Sequence, residues 1–149
     1  MRGQTLIGFI GFVVLWVSIF ITVCSVQNHL YKKPHLMEVA KVICAEACSM
    51  GPDVMLGVAN TIQNRMKLNE ETAFEVVTKK NQYYGYTNLN KEEIFMDREC
   101  RSVSINLAAD LPNLRDITDG AVFFRMPGEK KQPWHKHLTA VIEGVEFYK

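Results

Sequence analysis

Glu46 stands between Cys44 and Cys48 in the stretch ICAEACSMGPDVMLGVANTIQNRM, residues Ile43 to Met66, a mostly apolar run. A carboxyl group near the end of a buried helix loses hydration, and that loss raises its pKa. A glutamic acid that keeps its proton near neutral pH can donate it to a leaving oxygen, the general-acid step of glycoside cleavage. The same pattern also fits a half-buried carboxylate paired with Arg65. Arg65 falls at the edge of its own helix's apolar stripe, where a cation needs a partner. The expectation is a contact to the backbone or to a carboxylate close to Glu46.

Other residues carry weaker chemistry. His135 and His137 would lie on one side of a strand. No third ligand stands at a recognisable zinc spacing, so exposed loop histidines beside Trp134 are expected, with no metal and no cofactor. Tyr83, Tyr84 and Tyr86 either stack on sugar rings or pack their own loop. Asn60 is either a solvent-facing amide or a sugar contact. Asp53 suits the first turn of a helix, where the dipole favours an acid. Of the four cysteines, Cys24, Cys44, Cys48 and Cys100, the second and third lie one helical turn apart, a poor geometry for bonding to each other. A Cys48–Cys100 bridge is feasible if their helices pack, and buried free thiols are the other reading.

The elements that must hold these groups are legible from pattern. Leu36 to Cys48 is apolar on most sides, which predicts a buried helix. Gly51 and Pro52 then mark a turn and a new helix start. In the next segment Val54, Met55, Val58, Ala59, Ile62 and Met66 share one face, with Asn60, Gln63 and Asn64 opposite. Glu71 to Thr78 is expected to be a short helix, NQYYGYTNLN an ordered loop, and Asp97 to Leu111 an amphipathic helix. Asp119-Gly120 is a turn, AVFFR a strand, and LTAVIEGVEFY a hairpin around Glu143-Gly144. The sum is an α+β domain, mainly helical with a small antiparallel sheet.

Composition bounds the rest. The 149 residues carry 17 basic and 16 acidic side chains, for a net charge of +1, so no basic excess points to nucleic acid. From Thr5 to Val26 there is no charged residue. As a helix this segment measures roughly 33 Å at ~1.5 Å per residue, enough to cross a bilayer. A retained single-pass anchor is the favoured reading over a cleaved signal peptide or a buried helix. The implied organisation is a short tail at 1–4, an anchor at 5–26, a linker at 27–35 and a domain at 36–149. With Cys24 near its end and Cys44 and Cys48 flanking Glu46, the segment also resembles that of signal-arrest-release lysins, which implies later release from the membrane with Cys24 exchanging with a disulfide near Glu46.

The segment AEACSMGPDVMLGVANTIQNRM resembles the opening of SleB/CwlJ-type cell-wall hydrolases. There E-A-R-G-E, a turn and a V-A-x-V-x-x-N-R-V helix follow one another. Glu46-Ala47 match the first two positions and Asn64-Arg65 the polar pair. Gln82-Tyr83 stand where the family has Gln-Phe, GAVFF matches its strand, Pro133-Trp134 its Pro-Trp, and TAVIEGVEFYK its terminal hairpin. The departures are Cys48-Ser49 for Arg-Gly, Met50 for the second Glu, and Val145 for a frequent His. The resemblance implies a lysozyme-like fold and cleavage of peptidoglycan between N-acetylmuramic acid and N-acetylglucosamine. It implies lytic transglycosylation, with Glu46 as the single acid/base and Asn64, Arg65, Gln82, Tyr83 and Trp134 binding the glycan. The domain would face the periplasm or cell wall, as in phage or envelope lysis. The alternative is a non-catalytic, membrane-anchored glycan- or partner-binding protein of the same fold.

Overall fold

A computed structural model describes residues 35–83 and 91–149. The segment at 5–26, its linker up to residue 34, Cys24, Tyr84 and Tyr86 lie outside the described residues. Among the described residues no helix is long and apolar enough to cross a membrane.

Helix α1 spans Leu36–Ala47 and buries Val39, Ala40, Val42, Ile43, Cys44, Ala45 and Ala47. It ends one residue earlier than its apolar run predicts, in a 3-10 turn, Cys48–Met50. Gly51 follows at φ 95°, a backbone state that side chains disfavour, and the Glu143 carboxylate sits 3.2 Å from where a Cβ would be. Pro52 then opens α2, Pro52–Asn69. Its missing N–H is no loss in a first turn.

The polar side of α2 does not face solvent, contrary to the helical-wheel expectation. Asn60 and Gln63 are buried. Asn60 donates to the Arg115 carbonyl at 3.2 Å and accepts the Ile117 N–H at 3.0 Å. Gln63 donates to the Leu114 carbonyl at 3.2 Å. A buried amide must be hydrogen-bonded, and here the partners are backbone groups of a loop that has no ladder of its own. Asn60 is therefore neither a solvent-facing amide nor a sugar contact.

The expected helix over Glu71–Thr78 is the shorter α3, Ala73–Thr78, because Thr72 caps it. The Thr72 hydroxyl accepts the Glu75 N–H at 3.3 Å while the Glu75 carboxylate accepts the Thr72 N–H at 2.8 Å, a capping box. Those Thr72 hydrogen bonds hold the Glu75 carboxyl below its ordinary value. A four-residue helix, α4 (Lys91–Ile94), had no clear sequence signal. Helix α5 (Arg98–Asp110) is capped by Asp97, which accepts the Cys100 N–H at 2.8 Å.

α1 packs most extensively against α5, and a disulfide joins them between Cys44 and Cys100. This differs from both readings of the sequence, a feasible Cys48–Cys100 bridge and free thiols at Cys44 and Cys100. Cys44 sits on the buried face of α1 that meets α5, with a Cα separation of 5.9 Å from Cys100. Cys48 has left the helix and is a half-buried free thiol. Closing a loop between residues 56 apart stabilises the fold by about 4 kcal/mol in the chain-entropy model.

The sheet is antiparallel, with order β1-β3-β2. β1 is Phe123–Arg125, β2 Leu138–Ile142 and β3 Val145–Tyr148. Positive φ at Glu143 (48°) and Gly144 (84°) makes the two-residue turn that the sequence signals. β3 lies in the centre and buries Val145, Phe147 and Tyr148. The Phe147 ring fills the space where a Cβ on Gly57 would stand, so the missing side chain lets the sheet approach α2.

Candidate active site

A cleft of about 520 Å³ opens where five segments meet: the last turn of α1, the second half of α2, residues 81–82, β1 and the loop after β1. That volume lies within the range of small-ligand sites. Glu46, half-buried on the last turn of α1, forms part of one wall. Arg65, Gln82 and Asn81 line the cleft beside it, and Phe123 and Phe124 supply apolar surface. Glu129, Lys130, Gln132, Trp134 and His135 come from the loop after β1.

Arg65 is nearly buried. Its Nε donates to the Val122 carbonyl at 2.5 Å, and its Nη1 donates to Oε1 of Gln82. The guanidinium lies 5.2 Å from the ring centres of both Tyr83 and Phe123. The expected backbone contact of Arg65 is therefore present. One planar, permanently charged fork joins α2, the 79–83 turn and the approach to β1.

Tyr83 does not line the cleft. Its ring is buried behind Arg65, and no hydrogen bond of normal geometry reaches its hydroxyl, although Thr61 and Arg65 are polar neighbours. Burial raises the Tyr83 pKa, the Arg65 charge and a Thr61 interaction oppose that, and the nearby Glu46 charge adds to it. Tyr83 thus lies within electrostatic reach of both Arg65 and Glu46. The expectation of a groove role for Tyr83 gives way to packing under the groove.

Asn64 is also absent from the lining. Its amide donates to Asp116 at 3.1 Å and to the Ala121 carbonyl at 3.0 Å. Asp116 is the centre of this loop. It accepts from the Thr118 N–H (2.8 Å), the Thr118 hydroxyl (2.7 Å) and the Gly120 N–H (2.8 Å). Burial pushes its carboxyl up, but these bonds together with Asn64 outweigh that and hold it below the ordinary aspartate value. Asn60, Gln63 and Asn64 together fasten the 114–121 loop that leads into β1.

At the other wall Trp134 is 51% exposed, which leaves much of its indole open to a ligand. His135 is buried rather than an exposed loop histidine. Its ring stacks on Tyr148 at 4.7 Å, and its Nδ1 accepts the Gln132 N–H at 3.2 Å. Burial and the charges of Arg125 and Lys131 lower its pKa. Tyr148 in turn donates to the Glu146 carboxylate, which also accepts from Arg125 Nε at 2.9 Å. The sheet therefore carries the loop that carries Trp134. Among the described residues no third His, Cys, Asp or Glu joins His135 and His137 in a metal-ligating cluster.

Four of the six expected site residues meet in this cleft: Glu46, Arg65, Gln82 and Trp134. Phe123, Phe124, Gln132 and Glu129 were not singled out from sequence. Their only local signal is proximity to the strand and to Pro133-Trp134. No protein-family model, curated protein or solved structure matches the chain.

Proposed function

We propose that this chain is a membrane-anchored peptidoglycan hydrolase with a lysozyme-like fold. It cleaves between N-acetylmuramic acid and N-acetylglucosamine by lytic transglycosylation. The observation that supports this reading is the convergence of Glu46, Arg65, Gln82 and Trp134 on one open cleft, from segments far apart in the chain. A carboxyl group serving only to hold the fold need not face a groove wide enough for a sugar.

In this reading Glu46 donates its proton to the glycosidic oxygen as the C–O bond breaks. The 6-hydroxyl of the muramic residue closes on the anomeric carbon and gives its proton to the Glu46 carboxylate. One carboxyl group performs both steps, unlike the two-carboxylate arrangement of most glycosidases. Trp134 offers a flat apolar face to a sugar ring, and Phe123 and Phe124 exclude water from the floor. Arg65 acts by fixing Gln82 and the approach to β1.

The test is a zymogram on purified peptidoglycan with the wild type and Glu46→Gln, followed by mass spectrometry of the products. The amide keeps the shape but cannot donate the proton, so cleavage should vanish and wild-type products should carry 1,6-anhydro ends. Undiminished cleavage by Glu46→Gln would remove Glu46 from the mechanism. Reducing ends would assign hydrolysis, with Glu129 as the other carboxylate in the cleft wall. Binding without cleavage by the wild type would favour the glycan-binding alternative.

A further inference from the structure

Cys48 is left over by the disulfide, yet it stays beside it. The sulfurs of Cys44, Cys48 and Cys100 all lie within 4.8 Å of one another. A disulfide alone does not require a third sulfur at that distance. The grouping arises because Cys48 follows Cys44 by four positions at the end of α1 and both approach the first turn of α5. A second cavity, of about 330 Å³, opens onto this group and is lined by Cys48, Cys100, Met55, Asp97 and Glu99.

We propose that in the thiol form Cys44, Cys48 and Cys100 bind one thiophilic d10 cation of the Zn(II) or Cu(I) class. Metal–thiolate bonds of about 2.3 Å place sulfurs roughly 3.7–4.0 Å apart in a tetrahedral or trigonal site. The three sulfurs need only small rotations to reach that spacing once the Cys44–Cys100 bond is reduced, and the Cα separation of 5.9 Å leaves room for it. Three thiolates select soft cations over Ca(II) or Mg(II). The cavity is the entry path, and Asp97 and Glu99 give its wall negative charge.

The chemistry balances with an added reductant. A phosphine or dithiol gives two electrons, and with two protons these convert the disulfide to two thiols. The cation then displaces the protons of the three thiols to buffer as three metal–sulfur bonds form. The disulfide and the bound cation exclude each other, because they use the same two sulfurs.

The experiment uses the full chain carrying Cys24→Ser, which removes the one cysteine outside the group. The protein is reduced with a phosphine under argon and titrated with Cd(II), following the thiolate-to-metal absorbance in the ultraviolet. The expected result is saturation at one equivalent, no band from the oxidised chain, and at least tenfold weaker binding in Cys48→Ser. Cys48→Ser keeps the disulfide, so its fold is checked in the oxidised state by circular dichroism. Zn(II) should also raise the Tm of the reduced chain, because a ligand of the folded state stabilises it. The proposal is overturned if no saturable band appears or if Cys48→Ser binds equally well. It is also overturned if Zn(II) leaves the Tm unchanged, lowers it, or restores no transition to a chain that has none.

Discussion

Arg65 donates through Nη1 to the side-chain oxygen of Gln82, and the two residues share a wall with Glu46. This bond fixes the 79–83 turn to α2. Arg65→Met removes the donor and leaves the Val122 carbonyl and Gln82 without it. Gln82 is exposed and can turn to water, whereas the half-buried Val122 carbonyl loses its donor; one such acceptor costs about 1 kcal/mol, so denaturant melts should show a loss of that order. Arg65→Lys keeps the charge but not the planar fork. It should recover part of the stability while the proposed peptidoglycan cleavage stays low. Full activity in Arg65→Met would show that the cleft does not depend on this fork.

Trp134 is half-exposed and packs edge-on to His135 at 6.1 Å. Trp134→Ala should leave the Tm close to wild type, because little of the core depends on the ring. Affinity for soluble glycan fragments should fall roughly tenfold, or about 1.4 kcal/mol. Isothermal titration with Glu46→Gln as the background separates binding from turnover. Unchanged affinity would remove Trp134 from the proposed glycan site.

Gly57 faces the Phe147 ring tip, and an alanine methyl there would overlap it. The gain in helix propensity from Gly to Ala is at most about 1 kcal/mol. Overpacking a filled core costs about 1–3 kcal/mol, and Phe147 is fully buried. Gly57→Ala should therefore destabilise the protein. In a Phe147→Leu background the same change should be neutral or stabilising, because the ring is gone. Additive effects in the double mutant would refute the contact.

Asp116 has a folded pKa below its unfolded value of about 3.9. A depressed carboxyl contributes stability above the unfolded pKa and loses it as pH falls through the folded value. Stability should therefore drop as the pH falls below about 4, and Asp116→Asn should start lower and show a shallower drop over that acid limb. Melts at a series of pH values test this. Parallel curves would mean that other carboxylates carry the acid sensitivity.

Local rules made much of the domain readable from sequence. Gly51-Pro52 ends one helix and starts the next, because positive φ and a missing N–H are properties of single residues. Asp119-Gly120 and Glu143-Gly144 turn for the same reason. The apolar run of α1, the stripe of α2 and the hairpin follow from periodicity, which needs only near neighbours. Glu46 stood out because an acid in an apolar helix is costly wherever the chain folds. Other features depended on which segments meet. Asn60 and Gln63 look solvent-facing on a helical wheel, and only the 114–121 loop, more than fifty residues on, makes them buried anchors. Cys44 and Cys48 are equivalent in the sequence. The end of α1 between them decides that Cys44 bonds to Cys100 and Cys48 stays free. The cleft itself is a tertiary product: Glu46, Gln82, Phe123 and Trp134 share no local pattern. Packing of α1, α2 and the sheet brings their side chains to one surface, and packing is a property of pairs of segments.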